Sequence, residues 1–265
     1  MPRMIEKSWN EFWAYYWRVD DRHRIPGIAE WDRKLVDFIE RVCRLKPPAR
    51  VLDLACGGGD QAKVFVRKGY EVVGVDIASS LVEYAEQQFS TEKLRGTFIV
   101  GDMREIDYDT EFDACVILSG SFGFFGDVED RKLLCSMQKA LRAGGKVFIM
   151  FIAANQKIEH RREWREKKDG WELSEVWFDP ETSVRCGTVM IIRKDGSVII
   201  PKKELGYCAN ERIRCYTVAE MQAMFTEAGL KHVASYSDHH LDLPPEPLPG
   251  DAVLNIVIGE RSAGE

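Results

Sequence analysis

Basic charge is scarce in this 265-residue chain, where 37 Lys and Arg face 43 Asp and Glu for a net charge of −6. A protein that neutralises many phosphates carries a basic excess, so the balance argues against a nucleic-acid partner. Long apolar runs are missing as well. The longest, Val147–Ala154, falls far short of the roughly 20 residues that span a bilayer. The N-terminus, Met1–Lys7, is charged and has no apolar core, so neither a signal peptide nor a membrane segment is read. No two of the seven Cys have C-x-x-C spacing, and their number is odd. That pattern fits reduced thiols in the cytoplasm and no metal site. Internal repeats and low-complexity segments are absent too. Apolar residues at 45% and charged residues at 30% are globular values, enough for one large α/β domain or two small ones.

Short apolar runs alternate with helical patterns through the middle of the chain. Residues 50–54, 71–75, 97–100, 113–118 and 146–152 read as strands, rich in Val, Ile and Phe. Helices are predicted over 61–68, 80–88 and 129–141. Such alternation implies βαβ units and a parallel sheet with both faces covered. Right-handed crossovers place the strand C-termini along one edge, where open α/β sheets bind ligands. Before this core, Trp9, Trp13 and Trp17 recur every fourth residue beside Phe12 and Tyr16, one face of a helix. A second helix is read over 29–45. After residue 152, residues 155–170 are polar and basic and read as partly helical. Two strand-like runs, 183–193 and 203–216, flank Lys194-Asp195-Gly196, a hairpin signal. The core pattern then resumes. Thr217 with Glu220 forms a capping box for a helix ending at Gly229, and 232–237 and 252–258 make two last strands, expected to be antiparallel neighbours.

The chemistry concentrates in Asp53-Leu54-Ala55-Cys56-Gly57-Gly58-Gly59-Asp60, between a strand and a helix. Glycines let the backbone turn tightly and approach a ligand, and the helix offers unpaired N–H groups. Asp76 lies 19 residues beyond Gly57, at the end of the second strand, where it can accept from ribose hydroxyls. Gly57-x-Gly59-x-x-Ala62 also fits a dinucleotide fingerprint. Asp53 would oppose a pyrophosphate, however, while it suits the ammonium of a methionine moiety. Asp102 ends the third strand and can accept from an adenine amine.

These residues resemble the core of class I S-adenosylmethionine-dependent methyltransferases over residues 49–153. The family's acid followed by G-x-G-x-G matches Asp53 to Gly59, with Ala55 for the first glycine. The resemblance implies a Rossmann-like α/β fold with helices on both faces. Its seven-stranded, mostly parallel sheet would have an antiparallel last strand and an antiparallel β insertion after strand five. It implies S-adenosylmethionine as the donor, with S-adenosylhomocysteine as product. Asp53, Ala55, Gly57 and Gly59 would hold the methionine part and Asp76 the ribose. Ile77, Asp102 and Met103 would meet the adenine, and Ser119 lies in the matching loop after strand four. Residues 1–46 are then a helical lid, 47–155 with 214–265 the core, and 156–213 a cap over the substrate.

An enclosed pocket suits a small-molecule acceptor, and no Asn-Pro-Pro-aromatic motif follows Leu118 to suggest a base amine. The alternatives are a protein or RNA acceptor, for which the basic stretch 161–168 speaks, and a non-catalytic module that binds the donor or its product. Tyr16, Trp17 and Phe122 are the expected acceptor wall, although an aromatic stripe at helical spacing also serves to pack a helix. Methyl transfer needs a base only where the acceptor must lose a proton. His239 and His240, after strand six, are the catalytic candidates, with His160 and His232 as further histidines.

Overall fold

The computed structural model describes residues 2–18, 28–154, 158–167, 169–202, 211–237 and 254–262. Two sheets account for its strands. Five of the core strands are β2 (Arg50–Leu54), β3 (Glu71–Asp76), β4 (Thr97–Val100), β5 (Phe112–Phe122) and β6 (Leu141–Ile152). Together with β12 (Leu230–Ser237) and β13 (Leu254–Arg261) they form, among the described residues, a seven-stranded sheet of order β12-β13-β6-β5-β2-β3-β4. β13 runs antiparallel to both neighbours, and the strands from β6 to β4 are parallel.

Alternation along the central strands puts side chains on both faces. Val51, Val116, Phe148 and Met150 meet α2 (Ile28–Cys43), α3 (Asp60–Arg67) and α4 (Ser79–Thr91) on one side. Leu52, Ile117, Ile149 and Phe151 meet α5 (Gly126–Ala140) and α6 (Val218–Glu227) on the other. The capping box at Thr217 and Glu220 starts α6 as expected, and Gly229 follows that helix with a φ of 74°. Among the described residues, no helix is long and apolar enough to cross a membrane.

The second sheet, which takes in the expected cap together with a strand from the expected lid, is built from β1 (Met4–Lys7), β7 (Arg161–Lys167), β8 (Gly170–Asp179), β9 (Val184–Arg193), β10 (Val198–Pro201) and β11 (Glu211–Arg214). Three local expectations change here. Residues 161–167 form a strand, because each pairs in register with β8 from Arg161↔Val176 to Lys167↔Gly170. The turn at Lys194–Gly196 joins β9 to β10, while β11 pairs with another part of β9. The chain also begins with a strand, since Met4–Lys7 runs parallel to Val198–Pro201.

The N-terminal region divides between the two sheets. Helix α1 (Trp9–Arg18) lies on the cap, where Phe12, Trp13 and Tyr16 are buried against Val189, Ile191 and Ile199. It also touches α4 of the core. Helix α2 instead packs in the core through Leu35, Val36, Phe38 and Ile39.

Candidate functional site

The tips of four neighbouring strands gather most of the expected site. In sheet order they are Ser119 on β5, the turn after β2, Asp76 on β3, and Gly101-Asp102 after β4. Asp53 is buried in the central strand, paired with Gly74 and Val116 on either side. The chain then turns sharply through Ala55, at φ 57°, and Gly57, at φ 54°. The left-handed region costs an ordinary L-residue roughly 1–2 kcal/mol, which gives a physical reason for glycine where this chain has Ala55. Ser119 is exposed and also left-handed, with a φ of 57°. Gly59, at φ 77°, opens α3 without a side-chain cap. A Cβ there would meet Ala85 at 3.1 Å and the Phe98 ring at 3.2 Å, so the turn is tight.

Asp76 binds the turn together. Its Oδ2 accepts from the Gly57 N–H at 2.8 Å, and its Oδ1 accepts from the Ala78 N–H at 2.9 Å. Its carbonyl accepts from the Gly101 N–H at 2.9 Å. Burial raises the Asp76 carboxyl, and the two backbone donors only partly offset this. Each carboxylate oxygen keeps acceptor capacity beyond these bonds. Cys56, between the two acids, is buried, and burial pushes its thiol well above the usual range. It is therefore inert as a nucleophile.

The third strand tip is different. Both Asp102 oxygens accept from the Arg104 Nε at 3.0 Å, and Oδ1 also accepts from the Arg104 N–H at 2.9 Å. Burial pushes this carboxyl up, but the Arg104 bonds outweigh it and hold it below the usual range. The Arg104 guanidinium lies 4.3 Å from the Phe125 ring centre. Ile77 is half-buried beyond β3. Met103 is buried in the core with Leu52, Leu54 and Val75.

A group as large as a nucleoside needs an open cradle at the turn. Gly57 provides one, because a Cβ built there meets nothing within 4 Å. With two half-satisfied acceptor oxygens at Asp76 and acids at adjacent tips, the residues fit a cationic nucleoside. Gly57→Ala should therefore cost only about 1 kcal/mol of stability, from its positive φ, yet weaken donor binding by filling the cradle. Parallel urea titrations and calorimetry check this. Equal affinity in the variant would place the donor elsewhere.

The expected acceptor residues fall in different surroundings. Tyr16 is buried and donates to Glu172 Oε2 at 3.0 Å. Phe122 is fully buried, with its ring 5.7 Å from that of Tyr216. The side chain of Trp17 lies outside the described residues, as do His239 and His240. His160 contacts Glu175 at 2.6 Å on the exposed surface of the cap. His232 contacts Ser235 at 2.8 Å and pairs with Gly259, which pairs with Val147 near the opposite edge of the sheet.

One cluster beside the site escapes simple motif reading. Tyr216, bridged to Ala153 at the tip of β6, donates to Asp130 Oδ2 at 2.8 Å and Asp127 Oδ1 at 3.1 Å. Arg214 reaches Asp127 at 3.2 Å and also pairs with Glu220. The one sequence signal was an acid on an apolar face, since Asp130, Leu133, Leu134 and Met137 are all buried on α5.

The family described as Methyltransferase domain matches residues 51–145. A demethylmenaquinone methyltransferase of Thermotoga maritima is 34% identical over 125 residues, covering 46% of this chain and 50% of that protein. The chain spans about half the length of such curated relatives. Among solved structures, the CcbJ methyltransferase of Streptomyces caelestis has a TM-score of 0.71 at 16% identity, covering 92% of this chain and 96% of that one. The structure of CalS10 with bound S-adenosylmethionine, an amino pentose methyltransferase of Micromonospora echinaspora, has a TM-score of 0.60 at 20% identity, with 95% and 96% covered.

Proposed function

We propose that this protein, whose residues 51–145 match the methyltransferase domain family and whose fold is that of solved methyltransferases, is a class I S-adenosylmethionine-dependent methyltransferase acting on a small-molecule acceptor. The observation that carries the reading is the Asp76 carboxylate, bonded to the Gly57 turn at the shared strand edge. When bound, S-adenosylmethionine supplies an electrophilic methyl carbon on a sulfonium. Asp53, Ala55, Gly57 and Gly59 bind the methionine end, and Asp76 receives the ribose hydroxyls. Ile77, Asp102 and Met103 shape the adenine side, with Ser119 closing the next strand tip. Asp53, Asp76 and Asp102 also place negative charge around a cationic donor.

The cap and α1 exclude water and orient the acceptor, which supplies much of the acceleration in a bimolecular transfer. In this reading Tyr16 and Phe122 act from beneath the acceptor surface, as supports for it. Trp17 remains part of the proposed wall. His239 and His240 are the proposed proton acceptors for an acceptor that must lose a proton. The relatives named above, a quinone and an amino-sugar methyltransferase, support an acceptor of small-molecule size.

Asp76→Ala is expected to cost about 1.5–3 kcal/mol of donor affinity, the worth of hydrogen bonds to a charged group. Asp76→Asn should fail as well. Its NH₂ must face the N–H of Gly57 or Ala78, setting donor against donor. Calorimetry with S-adenosylmethionine and S-adenosylhomocysteine reads both variants. Absence of binding by the wild type would refute the reading. Labelled methyl transfer into cell extract, split into small-molecule and polymer fractions, then tests the acceptor class.

A further inference from the structure

Strand register fixes which side chains of the cap share a face. On the inner face, Ile5, Ile199, Ile191 and Glu172 line up across β1, β10, β9 and β8, beneath α1. The outer face carries two adjacent cross-strand rows. One is Trp164, Leu173 and Met190. The other is Trp171, Ile192, Val198 and Met4. Trp164 is 70% exposed, Met4 53%, Trp171 42% and Met190 37%. These four are half of the large apolar side chains exposed among the described residues. A solvated face of an antiparallel sheet is ordinarily polar. A contiguous apolar face marks an interaction surface.

We propose that the outer face of the cap is a homodimer interface, in which the cap sheets of two copies stack face to face about a two-fold axis. Its size suits this. The six strands hold 4, 7, 10, 10, 4 and 4 residues, and at about 4.8 Å between strands and about 3.4 Å per residue they give a face of roughly 640 Å². Side-chain relief brings that near the roughly 800 Å² per partner of a stable interface. Its rim suits a second copy as well. Arg162, paired with Glu175 at 2.9 Å within the chain, and Arg212 share the outer face with Glu6 and Glu166. A two-fold rotation can set such mixed charges against their opposites. An anionic lipid surface would instead select a basic rim. The edge strand points the same way. Arg161, Arg162, Glu163, Arg165 and Glu166 stud β7, which blocks edge-to-edge pairing and leaves face stacking at about 10 Å. The face is opposite α1, so pairing leaves the donor turn accessible.

Sedimentation of the full chain from sub-micromolar to tens of micromolar tests this. The wild type should reach twice the 30.3 kDa of one chain. The double variant Trp164→Glu/Met190→Lys should stay monomeric over that range, with unchanged far-ultraviolet circular dichroism and donor affinity. Met4→Glu, at the far end of the second row, is an independent break and should weaken the dimer at least tenfold. A wild type that is monomeric throughout overturns the proposal, whether or not it binds anionic phospholipid vesicles. A dimer that survives both substitutions also overturns it, since the interface would then lie elsewhere.

Discussion

Exchange of Lys167 for Met is expected to destabilise the protein by about 3–5 kcal/mol, the cost of stranding one partner of a buried ion pair. The pair is Lys167 Nζ with Glu172 Oε2 at 3.1 Å, with side chains only 2% and 4% exposed. Glu172 Oε2 also accepts from the Tyr16 hydroxyl at 3.0 Å, and the ammonium sits 4.8 Å from the Tyr16 ring centre. The three groups thus fasten α1 to the inner face of the cap. Removing the ammonium leaves a carboxylate in an apolar contact between Tyr16 and the sheet. Removing all three polar groups should do less harm. Lys167→Met/Glu172→Leu/Tyr16→Phe keeps similar volume and leaves no buried charge, so it should recover most of the lost stability. Urea unfolding of the wild type, the single variant and the triple variant gives the comparison. A single variant within about 0.5 kcal/mol of wild type would show an exposed, weak pair.

The strand–turn–helix geometry of the proposed donor site was legible because its information is local. Asp53, the glycine run, Asp76 and Asp102 each end a strand whose apolar residues announce it. The structure adds what spacing cannot carry. Asp102 is held by its neighbour Arg104, and Met103 turns into the core. The cap was less legible, since its strands depend on distant partners. Met4–Lys7 pairs with residues near 200, so no local pattern identifies it. Arg161–Lys167 carries charges on both faces, and its polarity resembles an exposed helix until pairing with β8 is known. Tyr16 shows the same limit from the functional side. An aromatic at helical spacing predicts a buried face, whereas its partner Glu172 lies 156 residues away.

Asp130 is expected to make the stability of the fold depend on pH between about 4 and 7. Its side chain is fully buried, and desolvation raises the carboxyl to about 7, against the lowering bond from Tyr216. Asp127 nearby raises it further, and Arg214 opposes the rise. The folded protein therefore binds this proton more tightly than the unfolded chain. Its contribution is fully present below the ordinary carboxyl value and is lost as pH rises through about 7. At about 1.4 kcal/mol per unit, the total is on the order of 4 kcal/mol. Asp130→Asn is neutral at every pH, so it should remove this slope. Its carbonyl can still accept from Tyr216, but its NH₂ takes the place of Oδ1, which has no hydrogen-bond partner among the described residues. A donor without an acceptor costs about 1–3 kcal/mol. The variant should therefore be less stable than wild type at pH 4, before this slope sets in, and more stable at pH 8. Urea midpoints across this range decide it. An offset independent of pH would mean that Asp130 titrates as an ordinary carboxylate. The same cluster supports the loop after β5, because Tyr216 joins the N-terminal turn of α5 to the tip of β6. Loss of the Asp130 proton should thus loosen the floor of the proposed acceptor site before the sheet itself yields.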